Sequence, residues 1–125
     1  LAQARSQIQS GDVQIALTHA PFTYEYVRAL WDWSQGPTSS LQNITLALAG
    51  HLNGGQWRIP GLGAVHVPEL GFFPEDRQVT GLQRVSTISQ HISPGLGSSN
   101  AYPLQPGRFF NPPAMTLLTL TDRPQ

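Results

Sequence analysis

Two short aliphatic runs, each closed by a histidine and separated by one helix-patterned segment, constrain this chain most. Val13 to Thr18 (Val-Gln-Ile-Ala-Leu-Thr) leads into His19, and Ile44 to Leu48 (Ile-Thr-Leu-Ala-Leu) leads through Ala49 and Gly50 into His51. Both runs have strand length and β-branched or aliphatic content, bounded by turn residues. Between them Pro21 suits the first turn of a helix. Phe22, Tyr26, Ala29, Leu30 and Trp33 then recur at helical spacing, which predicts a helix to about Trp33 with these residues as core. Ser34 to Gln42, carrying Gly36 and Pro37, reads as a loop. The segment 13–56 is therefore expected to be a β-α-β unit whose strands each deliver a histidine at the carboxyl end.

A lone histidine beside an apolar run is more often a satisfied structural residue than a ligand. A pair at equivalent strand ends is better suited to holding a cation, because both imidazoles then point at one place. Gly54 and Gly55 follow His51 closely and supply the backbone angles of a tight turn beneath it. His66, in Ala64-Val65-His66-Val67, and His91, after Gln90, lack such a setting. Both are expected at surface or partly buried strand positions.

After Gln56 the helical pattern vanishes. Val65 and Val67, then Val79 to Ile92, then Met115 to Thr121 read as strands between loops. The 11 Pro and 12 Gly make those loops long and ordered by turn chemistry. Leu1 to Gln9 is polar and helix-compatible, so 1–12 reads as a lead-in helix or linker. The expected class is α/β or α+β, one small domain of 125 residues with a β-rich remainder over 57–125. The seven basic residues, all Arg, balance seven acidic ones and form no basic stripe, which disfavours nucleic acid as a partner. No cysteine is present, which excludes disulfides, thiolate metal sites and cysteine nucleophiles.

The segment Gly50-His51-Leu52-Asn53-Gly54-Gly55-Gln56 resembles the Gly-His-Thr-His-Gly-Gly-Gln signature of calcineurin-like metallophosphoesterases, most of all their bacterial phosphodiesterase-type branch. Leu17-Thr18-His19-Ala20-Pro21 is similar to the Leu-x-His-x-Pro element that precedes a helix in that family. Trp57 to Ala64 matches the usual continuation after Gly-Gly-Gln. Ile92-Ser93-Pro94-Gly95-Leu96-Gly97 resembles Val-Ser-Arg-Gly-Leu-Gly, and Arg108 to Ala114 resembles Arg-Phe-x-x-Pro-Glu ahead of a last strand. The elements occur in the family's order and span most of Val13 to Thr121.

The resemblance implies a hydrolase that holds two divalent metals, Mn, Fe, Zn or similar, which activate water and clamp the phosphoryl oxygens of a phosphate mono- or diester. It carries the metal-ligand role onto His19, His51 and Asn53. Asn53 stands where the family has its second histidine, and an amide oxygen is a neutral, harder donor than imidazole. It marks altered metal use, an impaired centre, an introduced substitution, or a plain loop residue ahead of Gly54. The same resemblance makes Gly54, Gly55, Gln56 and Arg58 candidates for substrate contact: close backbone approach at the glycines, a side-chain donor at Gln56 and a guanidinium at Arg58. The alternative for the glycines and Gln56 is that they shape and brace the loop. No residue is assigned a catalytic acid or base role.

The family's acidic motifs, Asp-x-His, Gly-Asp-x-x-Asp and Gly-Asn-His-Asp/Glu, do not occur. The resemblance thus covers only the second half of the family's four-layer β-sandwich flanked by helices. Two histidines and an asparagine cannot hold a dinuclear centre unaided, so the isolated chain is expected to be inactive, with a missing N-terminal half as partner. That half is another chain, or was lost, or this chain is a non-catalytic remnant with a structural or binding role. Substrates left open are phosphorylated small molecules and lipid-linked phosphates, and location is left open between cytoplasm and membrane periphery. A halved sandwich would expose sheet edges, which predicts self-association.

Overall fold

The computed structural model describes residues 7–33, 41, 43–100 and 107–121. Its centre is a four-stranded sheet in the order β1-β2-β8-β7. The strands are β1 (Gln14–Leu17), β2 (Ile44–Ala49), β7 (Gly81–Val85) and β8 (Ile88–Ile92). β1, β2 and β8 run parallel, and β7 closes one edge antiparallel to β8. Helix α1 (Tyr24–Trp33) connects β1 to β2, which gives the expected β-α-β unit. The chain is thus mixed α/β with mostly sheet and few helices among the described residues.

Between β2 and β8 lie two small antiparallel hairpins, β3 (Arg58–Ile59) with β4 (Gly63–Ala64) and β5 (His66–Val67) with β6 (Gly71–Phe72). The short helix α2 (Asp76–Val79) follows them, and Gln78 Oε1 accepts a hydrogen bond from the Glu75 N–H at its start.

Register divides the sheet's side chains between two faces, because paired Cα positions share a face. Leu17 pairs with Leu48, Leu48 with His91, and His91 with Leu82, so these four lie on one face together with Ile15 and Leu46. Ala47, Ala49, Gln90 and Ile92 lie on the other. The second face carries the core: Ile92 packs with Leu52, Ala64, Val67 and Val79, and Leu70 leans on the cluster. Gln90 is fully buried there, and its side-chain amide takes both backbone groups of Phe22. Phe22 N donates to Oε1 at 2.6 Å and Nε2 donates to Phe22 O at 3.2 Å. A buried amide so satisfied costs little and fixes where the chain leaves the sheet for α1.

The first face is less covered. Leu46 and His91 are buried, but Leu17 is 81 % exposed and Leu82 68 % exposed. β1 is also a sheet edge, with no strand on its far side among the described residues.

Several sequence expectations change. The helix begins at Tyr24, with Thr23 Oγ1 accepting from Tyr26 N, so Pro21 lies ahead of it. Its inward residues are Val27 and, in part, Leu30, whereas Tyr26 and Ala29 are exposed. The side chain of Trp33 and most of the loop after it lie outside the described residues. Val79 to Ile92 is not one strand: α2 ends at Val79, and a turn at Ser86 (φ 56°) splits the rest into β7 and β8. Met115 to Thr121 forms no strand and is exposed, because no neighbouring strand supplies backbone partners. Within the lead-in, 7–12 is not helical, and Gln9 N donates to Asp12 Oδ2. His91 goes beyond partial burial, at 6 % exposure.

Candidate functional site

His19 and His51 come together at the carboxyl edge of the parallel strands, with ring centroids 4.4 Å apart and planes tilted by 52°. The pairing of β1 with β2 continues past both strands to achieve this. Thr18 N donates to Leu48 O at 2.9 Å, and Gly50 N donates to His19 O at 3.2 Å. The two histidines therefore leave their strands at the same level. His51 then turns back sharply: Leu52 N donates to Gly50 O at 2.9 Å, and His51 has φ 72°. A hydrogen bond spanning one residue whose φ is positive is a γ-turn of the rare, strained kind. A residue with a Cβ held there costs of order 1–3 kcal/mol, and such strain gathers at functional positions. The Thr18 hydroxyl beside His19 is buried and finds no partner among the described residues.

A third side chain joins the pair. His51 Nε2 lies 3.0 Å from Glu69 Oε1, with both side chains part-exposed. Glu69 also borders a groove of about 870 Å³ shared with Thr23, Glu75, Arg77 and Arg84. Sequence reasoning missed Glu69, which is 18 residues from His51 in a turn of its own. No spacing or motif links the two. Among the described residues, no group of three or more His, Cys, Asp or Glu side chains could hold a metal ion.

The residues after His51 turn inward on their own loop. Asn53, Gly54, Gly55 and Gln56 all have positive φ. The Asn53 carbonyl accepts from Asn111 Nδ2 at 2.8 Å, and the Gln56 carbonyl accepts from the same nitrogen at 3.2 Å. Asn111, itself buried, is the second residue that sequence reasoning did not find; 55 residues separate it from Gln56. A Cβ on Gly54 would lie 2.9 Å from Asn111 Oδ1, and one on Gly55 would lie 2.4 Å from the Ala64 Cβ. The backbone here packs against protein, and only glycine fits.

Gln56 is 2 % exposed, and its amide pairs with Ser99 in both directions, Nε2 to Ser99 O and Ser99 N to Oε1, each at 2.8 Å. Arg58 donates to Gly54 O at 3.0 Å and to Asp76 Oδ1 at 2.6 Å. Arg108 clamps the neighbouring loop by donating to the carbonyls of Pro94, Gly95 and Gly97. Burial pushes its guanidinium below the ordinary arginine value.

The geometry thus gathers His19, His51 and Glu69. Asn53, Gly54, Gly55, Gln56 and Arg58 form the loop that follows, which Ser99, Asn111 and Asp76 tie to other segments. No protein-family model, no curated protein and no solved structure matches this chain.

Proposed function

We propose that this chain is the second half of a calcineurin-like metallophosphoesterase domain and contributes His19 and His51 to a centre that hydrolyses a phosphate mono- or diester. The observation that carries the reading is the approach of the two imidazoles to 4.4 Å at adjacent parallel strand ends. Two neutral imidazoles suit Mn, Fe, Zn and similar ions. The strain at His51 fits a residue kept for what its ring does. The half-covered sheet also fits a sandwich layer: Leu17 and Leu82 offer an apolar face of the sort a second sheet buries.

The described residues do not by themselves fit a metal pair, since no third ligand of the usual types completes the group. No catalytic step is therefore assigned to metal in this chain. The remaining ligands would come from a segment bearing the acidic and histidine motifs absent here. When bound, such a pair of metals supplies a hydroxide nucleophile and neutralises charge on the phosphoryl oxygens. The chain's own part is to hold His19 and His51 side by side on a rigid sheet end.

A second reading has a specific observation behind it. Gln56, Arg58 and the Asn53 carbonyl are all occupied in bracing this loop and tying it to its neighbours. That fits a metallophosphoesterase-derived scaffold with a structural or binding role and no turnover.

Intact mass and elemental analysis of protein purified from its native source, with hydrolysis of bis-p-nitrophenyl phosphate in Mn²⁺, separates the two. Near-stoichiometric metal, turnover and its loss in His19→Ala support the enzyme. A lone chain of 13.6 kDa with neither metal nor turnover sinks it in favour of the scaffold.

A further inference from the structure

The outer edge of β1 and the segment Met115 to Thr121 complement each other. No described strand pairs with that edge, and Val13 and Leu17 along it are 66 % and 81 % exposed. The segment, Met115-Thr116-Leu117-Leu118-Thr119-Leu120-Thr121, belongs to no sheet, with Met115 83 % and Leu117 93 % exposed. It holds no charge, Gly or Pro, and is built of aliphatic residues and β-branched Thr. Seven residues of that kind are the composition that adds to a bare strand edge. As a strand it would carry Met115 and Leu117 on one face and Leu118 and Leu120 on the other, so either face could continue the apolar one that Ile15 and Leu17 begin.

A chain is poorly placed to serve its own edge. Ala114 N donates to Gly95 O, which holds the start of the segment just past the end of β8. β8 is two strands from β1, about 10 Å across the sheet. An extended residue spans about 3.3 Å, so about three residues would go on the crossing and only Leu118 to Thr121 would reach β1. A second copy can present all seven.

We propose that Met115 to Thr121 of one copy adds as a fifth strand to the β1 edge of a second copy. Main-chain hydrogen bonds along Val13 to Leu17 supply the affinity, and cover for Leu17 adds an apolar gain. Two such additions about a two-fold axis close a dimer, whereas one-way additions build an open chain. The pairing needs neither metal nor phosphate, so it stands or falls apart from the phosphoesterase reading.

The chain has no cysteine, so introduced ones report alone. Leu17→Cys and Leu117→Cys are made in separate chains, one of them ¹⁵N-labelled, then mixed and treated with a short bis-maleimide. Both positions are mostly exposed, so both variants should fold like the parent. The expected product is a linked dimer whose mass shows one chain of each kind, in clear excess over the linkage in either variant alone. Linkage in the mixture no greater than in the separate variants overturns the proposal. So does a double variant that links within a monomer, which would put the segment on its own edge. Leu117→Pro and Leu118→Pro give a second measurement. Neighbouring N–H groups of a strand face opposite sides, so at least one of the two prolines removes a bond to the edge. That variant should lose the dimer seen by light scattering, with thermal unfolding of dilute protein unchanged. Association indifferent to both prolines, or a parent that is monomeric throughout, overturns the proposal.

Discussion

Gln56 and Ser99 bond as two strands would, the side-chain amide of one standing in for a backbone and taking both the N–H and the C=O of the other at 2.8 Å. The loop after β8 is thereby tied to the loop that follows His51. Gln56→Leu keeps the volume but leaves both Ser99 groups without that partner, at about 1–3 kcal/mol for each group that water cannot reach. A lower urea midpoint and faster hydrogen exchange at the Ser99 amide are expected. An unchanged Ser99 exchange rate would mean that the bracing is not made in solution.

Gly55 tests how tightly the same loop packs. Gly55→Ala would drive a methyl to 2.4 Å from Ala64 and hold it at φ 80°. Overpacking of about 1–3 kcal/mol adds to about 1–2 kcal/mol for a side chain in the left-handed region. A loss of about 3 kcal/mol in chemical denaturation is expected, and a loss under about 0.5 kcal/mol would contradict the close approach.

Strain at His51 makes a prediction of opposite sign. His51→Gly relieves the φ of 72°, whereas His51→Ala keeps it. The glycine variant should be the more stable of the two by about 1 kcal/mol, although it has the floppier unfolded chain. Equal stabilities would place the backbone outside the left-handed region.

Much of this site was legible in the sequence, and the missing parts share a cause. The strands ending at His19 and His51 are local patterns, and parallel pairing then brings the two rings level. Glu69 and Asn111 reach the site from 18 and 55 residues away, and side-chain contacts over such separations leave no periodicity to read. The inward face of α1 turned out to be Val27, not Tyr26, because Phe22 and Tyr26 stack on each other at 6.0 Å outside the core. The aliphatic and Thr content of Met115 to Thr121 looks like a strand, but a strand needs a neighbour, and sequence pattern does not supply one.

The bare edge of β1 makes association the expected behaviour at high concentration. Ile15 and Leu17 sit on that edge, where no described strand pairs with the backbone, with Leu17 mostly exposed. Light scattering after size exclusion should show dimers or larger species, and Leu17→Lys should shift the chain toward monomer. A parent that stays monomeric at millimolar concentration would refute this.

The strand order also dictates when the two histidines can meet. β7 and β8 are joined by a turn at Ser86 and can pair at once, but Leu46 must find Ser89, and Ile15 must find Leu46, across long intervening chain. Loop closure makes such distant pairings slow. After the β7–β8 hairpin, Ile15 to Leu46 is a shorter closure than Leu46 to Ser89, so β1 pairs with β2 before β2 docks on β8. In pulse-labelled exchange the amides of β8 should be protected before those of Ile15 and Leu17. His19 reaches His51 only when β1 docks on β2, so whatever holds the two rings together would act as a latch on the β-α-β unit and not on the hairpin.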